Sequence, residues 1–302
     1  MKWATVQDHN GRQDYGIIID HGKAFLSLPE LARRMKRTEH FPETLLEAMQ
    51  LGDQLLELAK NLVEEGKRTG IIDEIKVPLE KRQLLAPIPR TRKNIFCVGK
   101  NYREHVKEMG PSDPIPEHVM IFTKPPTAII GTDAAIPLHA NVTDALDYEG
   151  ELAIVIGKKG KAIPAEESLD YVFGYTILND ISARDLQKRH KQFFLGKSLD
   201  GSCPLGPWIV DKTEITDPHA LRLETRVNGE LRQKGHTSEM IFSIPEIIAT
   251  LSRGMTLEPG DIIATGTPAG VGKGFNPPKY LRSGDVIEIT IEKIGTLRNT
   301  VQ

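Results

Sequence analysis

The chain has 302 residues, enough for one large domain or two modest ones, with 39 Lys and Arg against 41 Asp and Glu and a formal net charge of -2. Hydrophobic residues at 39% and charged residues at 26% exclude the disordered, collagenous and disulfide-scaffold classes. The near balance of charge excludes a global basic field, so nucleic acid is not expected as a partner.

The opening residues Met-Lys-Trp-Ala-Thr-Val-Gln-Asp-His-Asn lack the apolar core of a signal peptide. No stretch approaches the ~18 apolar residues of a spanning helix, so a cytoplasmic chain without a membrane partner is expected. Residues 16–20 and 24–28 read as short strands around an Asp20-His-Gly22 turn. From 28 to about 66 the pattern is helical: Leu45, Ala48, Met49, Leu55, Leu56, Ala59, Leu62 and Val63 recur at three- and four-residue steps, with Gly66 and Gly70 closing it. Residues 84–93, carrying Pro87 and Pro89, read as a linker, which places a smaller α+β domain over 1–86 and a second domain over 87–302.

Beyond Asn94 short β-rich runs dominate, at 95–98, 120–123, 152–156, 175–178, 208–210, 223–227, 262–264 and 286–291. Asn228-Gly229 has the signature of a type I′ hairpin turn, because both residues tolerate positive φ. Helices are expected over 183–191 and 244–254, the latter with Ser243 as N-cap and Glu246 completing a capping box. The fold class is therefore α+β, β-dominated. Cys97 and Cys203 lack CxxC or zinc spacing, and two buried, inert thiols are expected.

The strongest chemical signal is Asp147-Tyr148-Glu149-Gly150-Glu151 leading into Leu152-Ala-Ile-Val-Ile156. In a strand, residues two apart share a face about 6.5–7 Å apart, so Glu149 and Glu151 repel one another. A solvated edge strand tolerates such a pair; in the core a cation has to resolve it. Asp180 ends a second apolar run, as a cap neighbour, a core acceptor or a third ligand. Three hard oxygen donors without Cys or His at ligand spacing suit Mg²⁺ or Mn²⁺, with Ca²⁺ possible and Zn²⁺ disfavoured.

Four further features are open to two readings each. His105 and Glu108 would be i,i+3 neighbours on a helix, either a solvated face or a pair in which Glu108 steadies an imidazole that takes a proton from water. Arg184, three residues before Gln187, offers a fork to a substrate carboxylate or a partner for Asp180 or Asp185. Lys197 is an oxyanion stabiliser or a surface lysine. Gly266-Thr267-Pro268-Ala-Gly270-Val-Gly272-Lys273-Gly274 fails as a phosphate loop, since Thr267 replaces its first glycine and Gly274 stands where Ser or Thr belongs. It presents Thr267 and backbone N–H groups to an anion, or is a structural turn.

Taken in order, these stretches resemble the fumarylacetoacetate hydrolase superfamily. The matching runs are Gly99-Lys-Asn-Tyr-Arg-Glu-His105-Val-Lys-Glu108, Asp147-Tyr-Glu149-Gly-Glu151-Leu, Asn179-Asp180 through Ala183-Arg184-Asp185-Leu-Gln187, Gly196-Lys197-Ser198, Val227-Asn-Gly-Glu, Met240-Ile-Phe-Ser-Ile-Pro245 and Gly260 through Thr267 to Gly272. The resemblance implies a mixed β-roll catalytic domain over 87–302, a smaller N-terminal domain and a homodimer. It implies Glu149, Glu151 and Asp180 as metal ligands, His105 and Glu108 as a water-activating dyad, and Lys197 as the oxyanion lysine. Arg184, Gln187 and Thr267 fall at substrate-contacting positions, and residues 101 to about 118 at a mobile lid. The nearest branch holds acylpyruvate hydrolases and oxaloacetate decarboxylases, so the expected activity is Mg²⁺- or Mn²⁺-dependent C–C cleavage of small 2-oxo acids through an enolate. The alternatives are an isomerase or decarboxylase of longer unsaturated dicarboxylates from aromatic-acid breakdown, or a non-catalytic scaffold keeping the fold.

Overall fold

The computed structural model describes residues 1–37, 41–110 and 114–302. A mixed sheet of twelve strands runs through the molecule. Its central strand, Gly150–Ile156, is wholly buried and lies antiparallel to both Val172–Asn179 and Ile262–Ala264. Ile262–Ala264 then pairs in parallel with Ile95–Gly99, which pairs with Met120–Lys124 at the edge.

Period-two alternation explains why the 152–156 run is apolar throughout. Leu152, Ile154 and Ile156 enter a core shared with Leu223, Ile287, Ile289 and Leu297 of a second, five-stranded sheet. Ala153 and Val155 face the other way, into a core with Trp3, Leu55, Ala59 and Leu62. Both faces are therefore covered, and a carboxylate at the end of this strand cannot reach bulk water by turning over.

The opening segment, which was not expected to be extended, forms the strand Lys2–Gln7 and joins this same sheet, pairing Lys2 with Val210 and Trp3 with Ile209. Trp3 meets Phe173 edge to face, their ring centroids 5.5 Å apart. Residues 84–93, expected as a linker, lie beside this strand: Gln83–Leu84 pairs with it, and Thr5 Oγ1 donates to the Pro87 carbonyl.

The helical pattern from 28 to 66 is divided. Leu28–Arg34, Leu45–Ala48 and Asp53–Thr69 are separate helices, and residues 38–40 lie outside the described residues. Gly66 does not close the last helix; it packs inside it against Leu31 and Ile72, and Gly70 at φ +76° makes the stop. Helix 183–191 is shorter than expected, at Arg184–Arg189, and is followed by the four-residue helix Phe194–Lys197. Cys97 and Cys203 are free and buried, and burial pushes the Cys203 thiol up to about 12. Among the described residues, no helix is long and apolar enough to cross a membrane.

Candidate active site

Glu149, Glu151 and Asp180 come together at one end of the central strands, with a carboxylate oxygen of each lying within 4.8 Å of the others. All three are buried. The antiparallel register brings them there: Gly150 pairs with Asn179, so the residues that follow Asn179 and precede Gly150 are neighbours, and Asp180 N–H donates to the Glu149 carbonyl at 2.8 Å. Gly150 between the two glutamates is required by packing, since a Cβ there would overlap Thr225 Oγ1 and crowd Ile289.

Three cations compensate the carboxylates. Lys197 Nζ lies 2.7 Å from both Glu149 Oε2 and Asp180 Oδ2. Arg184 spans Asp147 Oδ2 through Nε at 2.8 Å and Glu149 Oε1 through Nη1 at 2.7 Å. Lys124, wholly buried, donates to Asp180 Oδ1 at 2.8 Å and to the Ile181 carbonyl at 3.0 Å. Burial alone would raise the Glu149 carboxyl, but Lys197, Arg184 and His105 outweigh it and hold the group well below the usual carboxylate range. Glu151 shifts the opposite way: burial and the neighbouring Asp180 and Glu149 push its carboxyl well up, although Gly266 N–H donates to its Oε2 at 2.7 Å.

Gly196 allows the short helix carrying Lys197 to approach so closely. A Cβ there would lie 2.6 Å from Gln187 N and 2.8 Å from the Ala183 carbonyl. Arg184 Nη1 also donates to Gln187 Oε1 at 3.2 Å, while Arg184 Nη2 is buried without a partner among the described residues. Such an orphan donor beside a cavity is the feature a substrate carboxylate would satisfy.

The segment 103–109 is helical, and it sets His105 Nδ1 3.3 Å from Glu108 Oε2. Glu108 Oε1 accepts from Gly270 N–H at 2.8 Å, which ties this helix to the loop after Ile262–Ala264. Asn101 pins its start, donating to the Thr265 and Phe242 carbonyls. Of the expected lid, residues 111–113 lie outside the described residues.

A cavity of about 50 Å³ is lined by His105, Glu149, Glu151, Arg184, Gln187, Lys197 and Thr267, together with Phe122 and Phe193. Eight of the nine expected site residues are thus found at this cavity or, for Glu108, bonded to its lining; Asp180 lies beneath it, bonded to Lys197. Three positions differ from their expected surroundings. Lys197 is engaged by two of the expected ligand carboxylates, and Thr267 commits its hydroxyl proton to the Gly150 carbonyl at 2.9 Å while accepting from Gln233 Nε2 at 2.7 Å. Arg184 pairs with Asp147 and Glu149 in place of Asp180 or Asp185.

Sequence reasoning missed Lys124, Asp147 and Gln233. Asp147 accepts from Arg184, Gly272 N–H and Lys273 N–H, and so fastens the 266–274 loop to the site. Lys124 carried a signal, a lysine ending an otherwise apolar strand just before Pro125-Pro126. Gln233 carried none, since it stands among polar residues on a hairpin.

A buried acidic trio compensated by lysine and arginine thus sits on a mixed β-fold, with a His–Glu pair beside it. The family described as fumarylacetoacetate (FAA) hydrolase C-terminal matches residues 94–302, and the chain belongs to it. Oxaloacetate tautomerase YisK of Bacillus subtilis (strain 168) is 55% identical over 304 residues, covering 100% of both chains. The structure of a fumarylacetoacetate hydrolase from psychrophilic Exiguobacterium antarcticum is 43% identical with a TM-score of 0.83, covering 100% of this chain and 99% of that one. A 2-hydroxyhepta-2,4-diene-1,7-dioate isomerase from Mycobacterium marinum is 35% identical with a TM-score of 0.72, covering 100% and 98%.

Proposed function

We propose that the chain is a Mg²⁺- or Mn²⁺-dependent enzyme that interconverts the enol and keto forms of a small 2-oxo dicarboxylic acid, oxaloacetate foremost. The observation that carries this reading is the buried Glu149–Glu151–Asp180 trio opening on a cavity lined by Arg184, Gln187, Lys197 and His105. The 55% identity to a relative named as an oxaloacetate tautomerase supports it.

The donor set fits a hard divalent ion: three carboxylates, no sulfur and no imidazole among them. Burial first, and then the neighbouring Asp180 and Glu149, raise the Glu151 carboxyl, and a cation beside it would favour its charged form. An ion held there would draw electron density from the 2-oxo group and make the C3 hydrogens more acidic. Arg184 Nη2 receives a substrate carboxylate, and Gln187, fixed through its carbonyl to Arg184, turns its amide N–H₂ to the same group. His105, steadied by Glu108, carries the proton to and from C3. Lys197 offers its ammonium to the substrate oxygen that gains or loses charge.

The same arrangement supports C–C cleavage as a second reading, because decarboxylation of oxaloacetate begins from the same electron-poor 2-oxo group. The His105–Glu108 pair, with His105 buried, is the observation that favours hydrolysis of an acylpyruvate, which needs a deprotonated water. The deciding experiment supplies oxaloacetate to chelator-treated protein with and without added Mn²⁺, following enol absorbance and pyruvate release separately. The expected result is Mn²⁺-dependent loss of the enol signal, with pyruvate no faster than with Mn²⁺ alone. Enzyme-dependent pyruvate release would move the assignment to decarboxylation, and equal rates in metal-stripped protein would overturn the metal.

A further inference from the structure

The glycine loop 266–274, which fails as a phosphate loop, has its own use. Its last residue, Gly274, stands where a phosphate loop places Ser or Thr. The three atoms nearest to a Cβ built on Gly274 all belong to Glu108: Oε1, Cδ and Cγ. Each is closer than the 3.0 Å that real Cβ atoms observe. Its neighbours in the loop differ. At Gly270 a Cβ would strike the Arg232 carbonyl, and at Gly272 the Lys279 carbonyl, so those two glycines are demanded by backbone packing. At Gly274 the space left by the missing methyl is filled by a side chain of the proposed dyad.

We propose that Gly274 is a positioning residue for the proton-transfer pair, its bare Cα forming the floor of the seat in which Glu108 docks. The seat has two other walls: Gly270 N–H, 2.8 Å from Glu108 Oε1, and His105 Nδ1, 3.3 Å from Oε2. Behind the loop, Tyr148 Oη donates to the Gly270 carbonyl at 2.8 Å and Asp147 Oδ1 accepts from Gly272 N–H at 2.7 Å, so the loop cannot retreat to make room. A methyl at Gly274 therefore displaces the flexible end of Glu108. A withdrawal of about an ångström turns its bond to Gly270 into a contact beyond hydrogen-bonding range and separates it from His105. The φ of Gly274 lies outside the left-handed region, so alanine fits the backbone there and the fold is kept.

This inference rests on the dyad reading, and the test separates the two. Gly274→Ala, Glu108→Gln and the double variant are compared with the unaltered enzyme for Mn²⁺-dependent oxaloacetate turnover and for hydrogen exchange at the Gly270 amide. Loss of one proton-transfer partner costs roughly 10²–10⁴ in rate. The expected result is that Gly274→Ala falls to within about tenfold of Glu108→Gln, that the double variant is no slower than Glu108→Gln, and that KM changes little, because the residues act as one unit. Exchange at Gly270 is expected to quicken in Gly274→Ala with the melting temperature unchanged. Gly274→Ala with full turnover, or with Gly270 still protected, overturns the inference while Glu108→Gln remains slow. Glu108→Gln with full turnover overturns the dyad reading, and the inference with it.

Discussion

Lys124 illustrates how much a single buried charge can carry at the scale of one residue. Its ammonium is wholly buried and is divided between Asp180 Oδ1 and the Ile181 carbonyl. It does not line the cavity, so its part is to hold Asp180 in place. Lys124→Met would leave a buried carboxylate without one of its two lysines, which typically costs roughly 3–5 kcal/mol. Urea unfolding of the two proteins checks this, and equal stabilities would show that Lys197 alone suffices. The three ligand candidates were legible because acidic residues border apolar runs, where burial is costly unless partners are present, and Arg184 through its three-residue spacing to Gln187. Lys197's pairing with two carboxylates was not legible, because it depends on a helix that meets the strands from 17 residues further along the chain.

At the scale of the element, the helix Ile244–Ser252 combines a readable start with an unreadable one. Ser243 and Glu246 form the capping box expected from their spacing. A third cap comes from outside the helix: Ile244 N–H donates to His219 Nε2 at 3.0 Å, a bond that requires the neutral imidazole. Burial is the main cause that lowers the His219 value from 6.5, against the opposing pull of Asp217 and Glu246. A histidine lowered on folding binds fewer protons folded than unfolded. Its contribution is therefore present above pH 6.5 and is lost as pH falls below 6.5 through the lowered value. Melting temperatures measured above and below 6.5 are expected to fall more steeply with acid for the unaltered protein than for His219→Gln. Parallel curves would remove His219 from the account. The Asn228-Gly229 turn implied a return strand, but the extent of Glu230–His236, with sequence ELRQKGH, was not legible because its pairing is set by neighbours and not by apolar alternation.

For the whole molecule, the dominant fact is a sheet that crosses from the N-terminal segment into the catalytic region. Lys2–Gln7 covers the edge of Cys203–Asp211, and Trp3, Leu55 and Leu62 complete the core behind Ala153 and Val155. A fragment starting at residue 87 would expose both that strand edge and that apolar face. It is expected to aggregate, or to melt far below the full chain, as read by size-exclusion chromatography and thermal denaturation. A monodisperse fragment with undiminished metal-dependent turnover would instead show that 87–302 folds and works alone.

The sequence by itself marked the acidic trio, the His–Glu spacing and the capping box, because each is written in local patterns: charges beside apolar strands and three-residue helical offsets; the family was legible through the resemblance of its ordered motif runs. Only the tertiary structure decided which cation meets which carboxylate, which loop glycine seats Glu108, and where the N-terminal strand attaches. These are contacts between segments tens to hundreds of residues apart. Their geometry depends on how two sheets and their helices pack together, and local propensity carries no record of it.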